Sequence, residues 1–147
     1  MKFKTETSAG GIVFKIVKLP TSNLQHVLWL ITQHSKHKGW GFPKGLIGDQ
    51  RSNESMPQAA LREVEEEGGV KAKIVSQKPI IVKYKYRFGE YLVDKTVYYF
   101  LMEYVSGDPK NHDWEMMDAK FADEDEVRKT LSYKSDQEAF EQALKIV

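Results

Sequence analysis

A run of acidic residues near the middle of the chain has the composition and spacing of a divalent-metal site. Residues 62–67 read Arg-Glu-Val-Glu-Glu-Glu. On a helix that turns about 100° per residue, Glu63, Glu66 and Glu67 fall within roughly a 100° arc, whereas Glu65 points elsewhere. Like charges at this spacing repel each other. A hard cation such as Mg²⁺ would resolve the conflict, because it prefers oxygen ligands.

The alternative interpretation is a solvated acidic helix face, which is the usual context of a glutamate run. Residues 62–67 alone do not exclude it. Arg62 is placed to pair with Glu66 one turn later or with a carboxylate from the preceding loop. The wider pattern around the run favours the metal site.

A helix must present these glutamates, and the sequence marks both of its ends. Ser55 and Gln58 form a capping-box pattern, and Pro57 falls in the first turn, where its missing N–H costs little. Gly68-Gly69 ends the helix. The apolar positions at helical spacing are Ala60, Leu61 and Val64.

Short apolar runs on both sides of this helix predict strands. They are Ser8–Phe14, His26–Thr32, Ile80–Tyr86, Thr96–Tyr104 and Asp118–Phe121. Residues 19–23 read as a hairpin loop, and the glycine-punctuated segment 35–53 reads as a long functional loop. A capping box of Ser135 and Glu138 predicts a closing helix, Ser135–Val147. This order predicts an α+β or mixed α/β fold, with residues 1–147 as a single domain.

Composition excludes several classes of partner and site. Lys plus Arg number 22 against 21 Asp plus Glu, so the net charge of +1 gives no overall field that would attract DNA or a membrane. The chain has no cysteine, which excludes disulfides and thiolate metal ligands. Its N-terminal residues lack an apolar signal-peptide core, and no stretch reaches transmembrane length, so a cytoplasmic protein is expected. The sequence leaves monomer and homodimer open.

The spacing around the acidic run resembles a complete Nudix box. That pattern is Gly, five residues, Glu, seven residues, Arg-Glu-aliphatic, one residue, Glu-Glu, one residue, Gly-aliphatic. Its positions are filled here by Gly48, Glu54, Arg62-Glu63-Val64, Glu66-Glu67 and Gly69-Val70. Trp40–Gly45 resembles the segment that leads into the box, and Ala9–Phe14 resembles the family's first core strand. The resemblance implies the Nudix fold, a mixed β-sheet sandwiched between α-helices.

One feature departs from the family pattern. In relatives with Phe-Pro-Lys-Gly, the glycine of that motif is usually the first glycine of the box. Here that glycine is Gly45, and the box spacing fits Gly48, which indicates a three-residue insertion before Glu54. Two positions, near Gly45 or Gly48, could therefore supply a backbone carbonyl that faces the metal.

The resemblance implies a role for each residue of the box. Glu63, Glu66 and Glu67 would be the metal-binding and catalytic carboxylates. Mg²⁺, or Mn²⁺ in its place, would activate a water that attacks phosphorus and breaks a P–O–P bond. The residues that hold the loop and helix in place would be Arg62, Glu54, Gly48 and Gly69.

The general base is less fixed within the family, and the sequence leaves it open. It is either a glutamate of the box or a carboxylate on a later loop. Glu115 is the candidate on that loop, with His112 and Asp113 as alternatives. Glu115 as a plain surface residue is an equally open interpretation.

Five further residues are candidates for substrate binding. Lys44 is placed to meet an extra phosphate, and residues 95–100, Lys-Thr-Val-Tyr-Tyr-Phe, resemble a strand of diadenosine tetraphosphate hydrolases in which a Lys and a Tyr contact phosphates. Lys95 and either Tyr98 or Tyr99 would fill these roles. Either tyrosine, or Trp114, could instead stack on a base, although core packing is the plainer interpretation for each.

These features favour a dinucleoside polyphosphate substrate, such as diadenosine tetraphosphate, cleaved to ATP and AMP. Removal of 5′ pyrophosphate from RNA and hydrolysis of a nucleotide sugar or a nucleoside triphosphate stay open. A diphosphoinositol polyphosphate is a further alternative substrate, because Lys83, Lys85 and Arg87 could contribute to the dense basic pocket that it would need. The non-enzymatic alternative is a Nudix-fold nucleotide sensor, but such proteins commonly lose box carboxylates that this chain retains.

Overall fold

The computed structural model of the protein describes residues 1–20, 24–47 and 53–147. In this part of the chain, eight strands belong to one mixed sheet. The strands are β1 (Lys2–Lys18), β2 (Gln25–His34), β3 (Trp40–Gly41), β4 (Lys44–Leu46), β5 (Val70–Ile74), β6 (Ile80–Phe88), β7 (Tyr91–Gly107) and β8 (Met116–Ala122). The helices are α1 (Met56–Gly68), α2 (Glu124–Thr130) and α3 (Lys134–Ile146), with a 3₁₀ turn at Pro109–Asn111.

The two longest strands, β1 and β7, run parallel at the centre of the sheet, with Glu6 opposite Lys95 and Gly10 opposite Tyr99. Antiparallel partners extend the sheet on both sides. β2 and β4 pair with β1, and β5 and β6 pair with β7. This arrangement places the start of β4 beside the middle of β1, close to the strands that carry Lys95 and the tyrosines.

Helices cover both faces of the sheet, so each face has its own core. On one face, Val64 of α1 packs with Leu30, Phe100 and Met102. On the other, Phe140 of α3 packs with Trp29 and other buried side chains. The predicted α+β sandwich is therefore confirmed. No helix in residues 1–20, 24–47 and 53–147 is long and apolar enough to cross a membrane.

Helix α1 begins and ends where the sequence predicts. Ser55 Oγ accepts the Gln58 N–H at 3.3 Å, and Gln58 Oε1 accepts the Ser55 N–H at 2.9 Å, which completes the capping box. Gly69 takes a left-handed conformation with φ of 73°, and its N–H donates to the carbonyl of Glu65. A residue with a Cβ would be strained at that position.

Other boundaries differ from the sequence predictions. The predicted capping box of Ser135 and Glu138 is wrong: α3 starts one residue earlier, and its N-cap is Tyr133, which makes no side-chain capping bond. The segment 35–53 contains β3 and β4, because both strands find partners in β1 and β2, which are distant in sequence. The strand predicted at Thr96–Tyr104 is the middle of the longer β7. The hairpin loop predicted at 19–23 lies partly outside the described residues.

Candidate active site

Helix α1 turns its glutamates in the directions that the spacing predicts. Glu63 and Glu67 are buried, with exposed fractions of 6% and 7%. Glu66 is half-buried and Glu65 is exposed. The buried pair lies next to the apolar stripe that contains Val64, so packing of the helix on the sheet carries both carboxylates inward.

Arg62 holds the loop before the helix against the carboxylates. Its Nε and Nη2 donate to the two carboxylate oxygens of Glu54 at 2.8 and 2.9 Å, which is a bidentate pair. Its Nη1 lies 3.3 Å from Glu63 Oε2 and 3.2 Å from Glu66 Oε2. The hydrogen bonds to Glu54 and the charges of the three glutamates raise the pKa of Arg62, against the effect of burial.

Gly45 lies directly against the carboxylate of Glu63. A Cβ added at Gly45 would stand 1.7 Å from Glu63 Oε2 and 2.1 Å from its carboxyl carbon. The position therefore requires a residue without a side chain, and it brings the backbone of β4 to the carboxylate. Of the two positions predicted to face the metal, the structure brings Gly45 to the site, and Gly48 lies outside the described residues.

Burial makes the negative charges of Glu63 and Glu67 unfavourable, and nearby positive charges do not fully offset this cost. It raises the pKa of Glu63 to about 7, with Glu66 and Glu115 adding to the rise and Arg62 opposing it. It raises the pKa of Glu67 to about 8, although the backbone and charge of Lys44 lower it. A divalent cation would supply the missing positive charge.

The donor set fits such a cation, because it consists of carboxylate oxygens beside a glycine backbone. The residues that would hold the ion are Glu63, Glu67 and Gly45, with Glu66 at the edge. Within the described ranges, no three acidic or histidine side chains converge as a metal-ligand group, and Oε2 of Glu66 instead accepts from Arg62.

The carboxylates line a cavity of about 710 Å³, here named the acidic compartment. The loop that follows the 3₁₀ turn forms one wall, fixed by the Asp113 N–H donating to the carbonyl of Glu66 at 2.8 Å. The acidic compartment is lined by Ser8, His34, His37, Lys44, Gly45, Leu46, Glu63, Glu66, Glu67, Tyr86, Lys95, Asp113, Trp114 and Glu115.

A second cavity of about 670 Å³ adjoins the first and is here named the basic compartment. The two share four lining residues, His37, Lys44, Tyr86 and Lys95. The other residues that line the basic compartment are Lys83, Tyr84, Tyr133, Lys134, Ser135, Asp136 and Glu138. Together the compartments form one cleft, acidic at one end and rich in lysine and tyrosine at the other.

Lys44 lies at the junction of the compartments. Its backbone N–H donates to Glu67 Oε1 at 3.0 Å. Burial lowers the pKa of its ammonium, but Tyr84, Asp136 and Glu67 raise it by more, so the group stays charged. In the described part of the chain the Lys44 ammonium has no ion pair within 4 Å, whereas that of Lys95 lies 3.4 Å from Glu6.

The structure separates the three candidates for a general base on the later loop. Glu115 lines the acidic compartment. Asp113 lines it too, but Asp113 Oδ1 accepts the backbone N–H of Glu115 at 3.1 Å, so it holds the loop. His112 is not among the lining residues of that compartment, and its Nδ1 lies 2.8 Å from the carbonyl of Asp113.

Some of the candidates for substrate binding line the cleft, and others do not. Lys44, Lys95 and Trp114 line the cleft, and Trp114 is 80% exposed. Tyr99 is fully buried, with its hydroxyl donating to Asp136 Oδ1 at 2.8 Å, so it cannot stack on a base. Tyr98 packs on the opposite core and lines neither compartment. Neither tyrosine therefore presents its ring to the cleft in this structure.

Sequence reasoning missed most of the basic compartment. Tyr84 and Tyr86 come from β6, and Tyr133 and Asp136 come from the loop and first turn at α3. One usable signal was present: residues 83–87 alternate basic and aromatic side chains, which places the tyrosines together on one face of a strand. Which face meets the cleft depends on pairing with β7.

Comparison with known proteins agrees with this geometry. The family model described as NUDIX domain matches residues 15–143. The chain belongs to the Nudix family. It is 27% identical over 147 residues to a Mycobacterium tuberculosis protein (strain CDC 1551 / Oshkosh) designated a mutator protein, MutT4. That alignment covers the whole of this chain and 58% of the relative, so the chain spans little more than half the relative's length.

Solved structures share the fold at low sequence identity. The C. elegans Ap4A hydrolase has a TM-score of 0.68 at 19% identity, with 97% of each chain covered. The E. coli dihydroneopterin triphosphate pyrophosphohydrolase has a TM-score of 0.66 at 16% identity, with 100% of each chain covered. The NUDIX domain of Shewanella oneidensis NrtR, solved with ADP ribose, has a TM-score of 0.64 at 19% identity, with 97% of this chain and 89% of that one covered. The predicted Nudix family and fold are therefore confirmed.

Proposed function

We propose that residues 1–147 form one catalytic domain that hydrolyses a phosphoanhydride bond in a dinucleoside polyphosphate, with Mg²⁺ as its cofactor. The carrying observation is the position of Lys44, which joins an acidic compartment to a basic compartment and has no ion pair of its own among the described residues. A polyphosphate chain could run along this cleft, with its negative charges on the lysines and its reacting phosphorus near the carboxylates.

The reaction follows from the groups that line the cleft. Mg²⁺, when bound, would neutralise charge that develops on the phosphate oxygens and would lower the pKa of a water. A water oxygen forms a bond to phosphorus, the bridging P–O bond breaks, and the leaving phosphate departs as an oxyanion. The water's proton passes to a carboxylate, for which Glu67 and Glu115 are the candidates. Diadenosine tetraphosphate and water would give ATP and AMP.

The residues around the carboxylates keep their arrangement fixed. Arg62 binds Glu54 through two hydrogen bonds and also contacts Glu63, so Glu54 cannot separate from the helix without losing a part-buried ion pair. Lys44 would contact a phosphate next to the reacting one, since Lys44 lines both compartments. Tyr84, Tyr133 and the exposed Trp114 offer aromatic faces for a base.

The relatives support this substrate class without deciding it. One solved structure of similar fold is described as an Ap4A hydrolase, another as a dihydroneopterin triphosphate pyrophosphohydrolase, and a third holds ADP ribose. Each carries a phosphoanhydride in its named substrate or ligand. The two compartments of the cleft, of about 710 and 670 Å³, have room for a ligand with groups on both sides of the bond that breaks.

A diphosphoinositol polyphosphate is the second candidate, on one specific observation. Four lysines line the basic compartment, namely Lys44, Lys83, Lys95 and Lys134. That density suits a ligand with many phosphates. The aromatic side chains between the lysines favour a nucleotide, because a base offers a face for stacking and a phosphorylated inositol does not.

A hydrolysis screen with identified products tests the proposal. The substrates are diadenosine tetraphosphate, a nucleotide sugar, a nucleoside triphosphate, a diphosphoinositol phosphate and 5′-triphosphate RNA, each with and without Mg²⁺ or Mn²⁺. We expect metal-dependent cleavage of diadenosine tetraphosphate to ATP and AMP at the highest kcat/KM. If another compound of the screen is cleaved faster, that compound and not diadenosine tetraphosphate is the substrate. No turnover of any member, with nucleotide binding retained, would favour a sensor over an enzyme.

A further inference from the structure

Three side chains from neighbouring strands meet behind the junction of the two compartments. Glu6 of β1 stands opposite Lys95 of β7, and Tyr86 comes from β6 on the other side of β7. The Tyr86 hydroxyl donates to Glu6 Oε1, and the Lys95 ammonium lies 3.4 Å from the same oxygen. One carboxylate oxygen therefore holds two groups of different strands.

Two of the three residues line the cleft, and the third, Glu6, does not. Tyr86 and Lys95 each line both compartments. Glu6 lines neither of them, and only 16% of its side chain is exposed. Glu6 thus contacts the cleft only through the two residues that it binds.

We propose that Glu6 is a positioning residue that fixes Lys95 for contact with the polyphosphate chain of the substrate and holds Tyr86 beside it. This inference rests on the proposed function and assigns a role to a residue outside the Nudix box. Lys95 is a long side chain with several rotamers, and a fixed partner reduces the entropy lost when a phosphate binds. The same carboxylate accepts the hydrogen bond of the Tyr86 hydroxyl, which fixes the orientation of a ring that lines the cleft.

The charges around Lys95 agree with this role. Burial lowers the pKa of Lys95, and Lys44 on β4 lowers it further, while the charge and hydrogen bond of Glu6 raise it. Tyr84 and Tyr86 of β6 also stand near it, and Lys4 of β1 lies 3.8 Å from Glu6. Loss of the Glu6 charge would leave Lys95 buried among cations.

The variant Glu6→Gln tests the role, because glutamine can still accept from Tyr86 but carries no charge. We expect KM for diadenosine tetraphosphate to rise about tenfold while kcat changes less than twofold. The basic limb of the kcat/KM profile should move to lower pH, which a purely structural role of Glu6 would not cause. The control is Glu90→Gln, which removes an exposed carboxylate that also bridges β1 and the β6–β7 hairpin, through Lys2 at 3.5 Å.

Binding of inorganic tripolyphosphate, measured by calorimetry, separates this inference from the proposed function. The dissociation constant should rise about tenfold in Glu6→Gln and stay unchanged in Glu90→Gln, whether or not the wild type hydrolyses the nucleotide. Tyr86→Phe, a second variant, should weaken binding without adding its full effect to that of Glu6→Gln. Equal affinity and equal pH profiles in Glu6→Gln and Glu90→Gln would overturn the assignment.

Discussion

The backbone N–H of Lys44 donates to Glu67 Oε1 at 3.0 Å. This hydrogen bond connects β4, which carries the Lys44 ammonium, to the buried carboxylate on α1. The contact uses the main-chain N–H of Lys44, so it does not depend on the lysine side chain and is retained in any substitution except proline. A change at Lys44 therefore removes charge at the junction of the compartments and leaves the carboxylate's hydrogen bond in place.

Lys44→Met should separate substrate binding from folding. We expect kcat/KM for the polyphosphate substrate to fall about 10- to 100-fold, since hydrogen bonds to charged groups contribute about 1.5–3 kcal/mol. Thermal stability should stay the same or rise, because a buried charge is replaced by an apolar side chain. Lys36→Met, at an exposed lysine of the preceding loop, is the control for steady-state kinetics. Equal kinetics in the two variants would exclude Lys44 from the binding site.

The glutamates of α1 should differ in importance according to their direction. Glu66→Gln and Glu67→Gln should each reduce kcat by about 10²-fold or more, because each removes a charged ligand or proton acceptor at unchanged size. Glu65→Gln, on the exposed side of the same helix, should have little effect. Activity assays and circular dichroism check the three variants together. Mild and equal losses would mean that the patch is a solvated acidic surface.

Gly45→Ala should displace the Glu63 carboxylate. The new Cβ would stand 1.7 Å from Glu63 Oε2, which Arg62 holds from the other side, so the variant should lose both metal-dependent turnover and stability. Overpacking of this kind typically costs about 1–3 kcal/mol. In a Glu63→Ala background the clash is absent, and Gly45→Ala should cost much less. Urea denaturation of the four proteins measures the coupling, and additive losses would contradict the contact.

Local signals in the sequence predict α1 almost to the residue. The cap at Ser55 and the left-handed Gly69 act within a few residues of the backbone that they terminate. Helix α2 was not predicted, because its seven residues, Glu124–Thr130, contain a single buried apolar side chain, Val127. Strand β5 was also missed, because Val70–Ile74 is short and alternates with lysine, and only its pairing with β7 makes it a strand.

Tyr98 and Tyr99 show why only part of the site can be predicted from the sequence. Alternation along β7 predicts that Tyr98 and Tyr99 point to opposite faces, and that is observed. It does not reveal that both faces are covered at this point, one by α1 and the other by α3. Which strand positions reach the cleft depends on register with β1 and β6, and that register is a long-range property.

Asp136 gives a prediction in which removal of a buried charge stabilises the protein. Burial raises the pKa of Asp136, although Lys44 and the hydrogen bond from Tyr99 lower it. A carboxyl whose pKa is raised on folding contributes its full stability below its unfolded pKa and loses it as the pH rises through the folded value. At neutral pH the charged form therefore costs free energy.

Asp136→Asn should accordingly raise the urea midpoint at pH 7, because asparagine keeps an acceptor for the Tyr99 hydroxyl and carries no charge. The gain should shrink as the pH falls through the raised folded-state pKa of Asp136, because the wild-type carboxyl then becomes protonated and loses the charge that burial penalises. Asp125→Asn changes an exposed carboxylate on α2 and should show no such trend. A midpoint that falls in Asp136→Asn at pH 7 would mean that attraction to Lys44 outweighs the cost of burial.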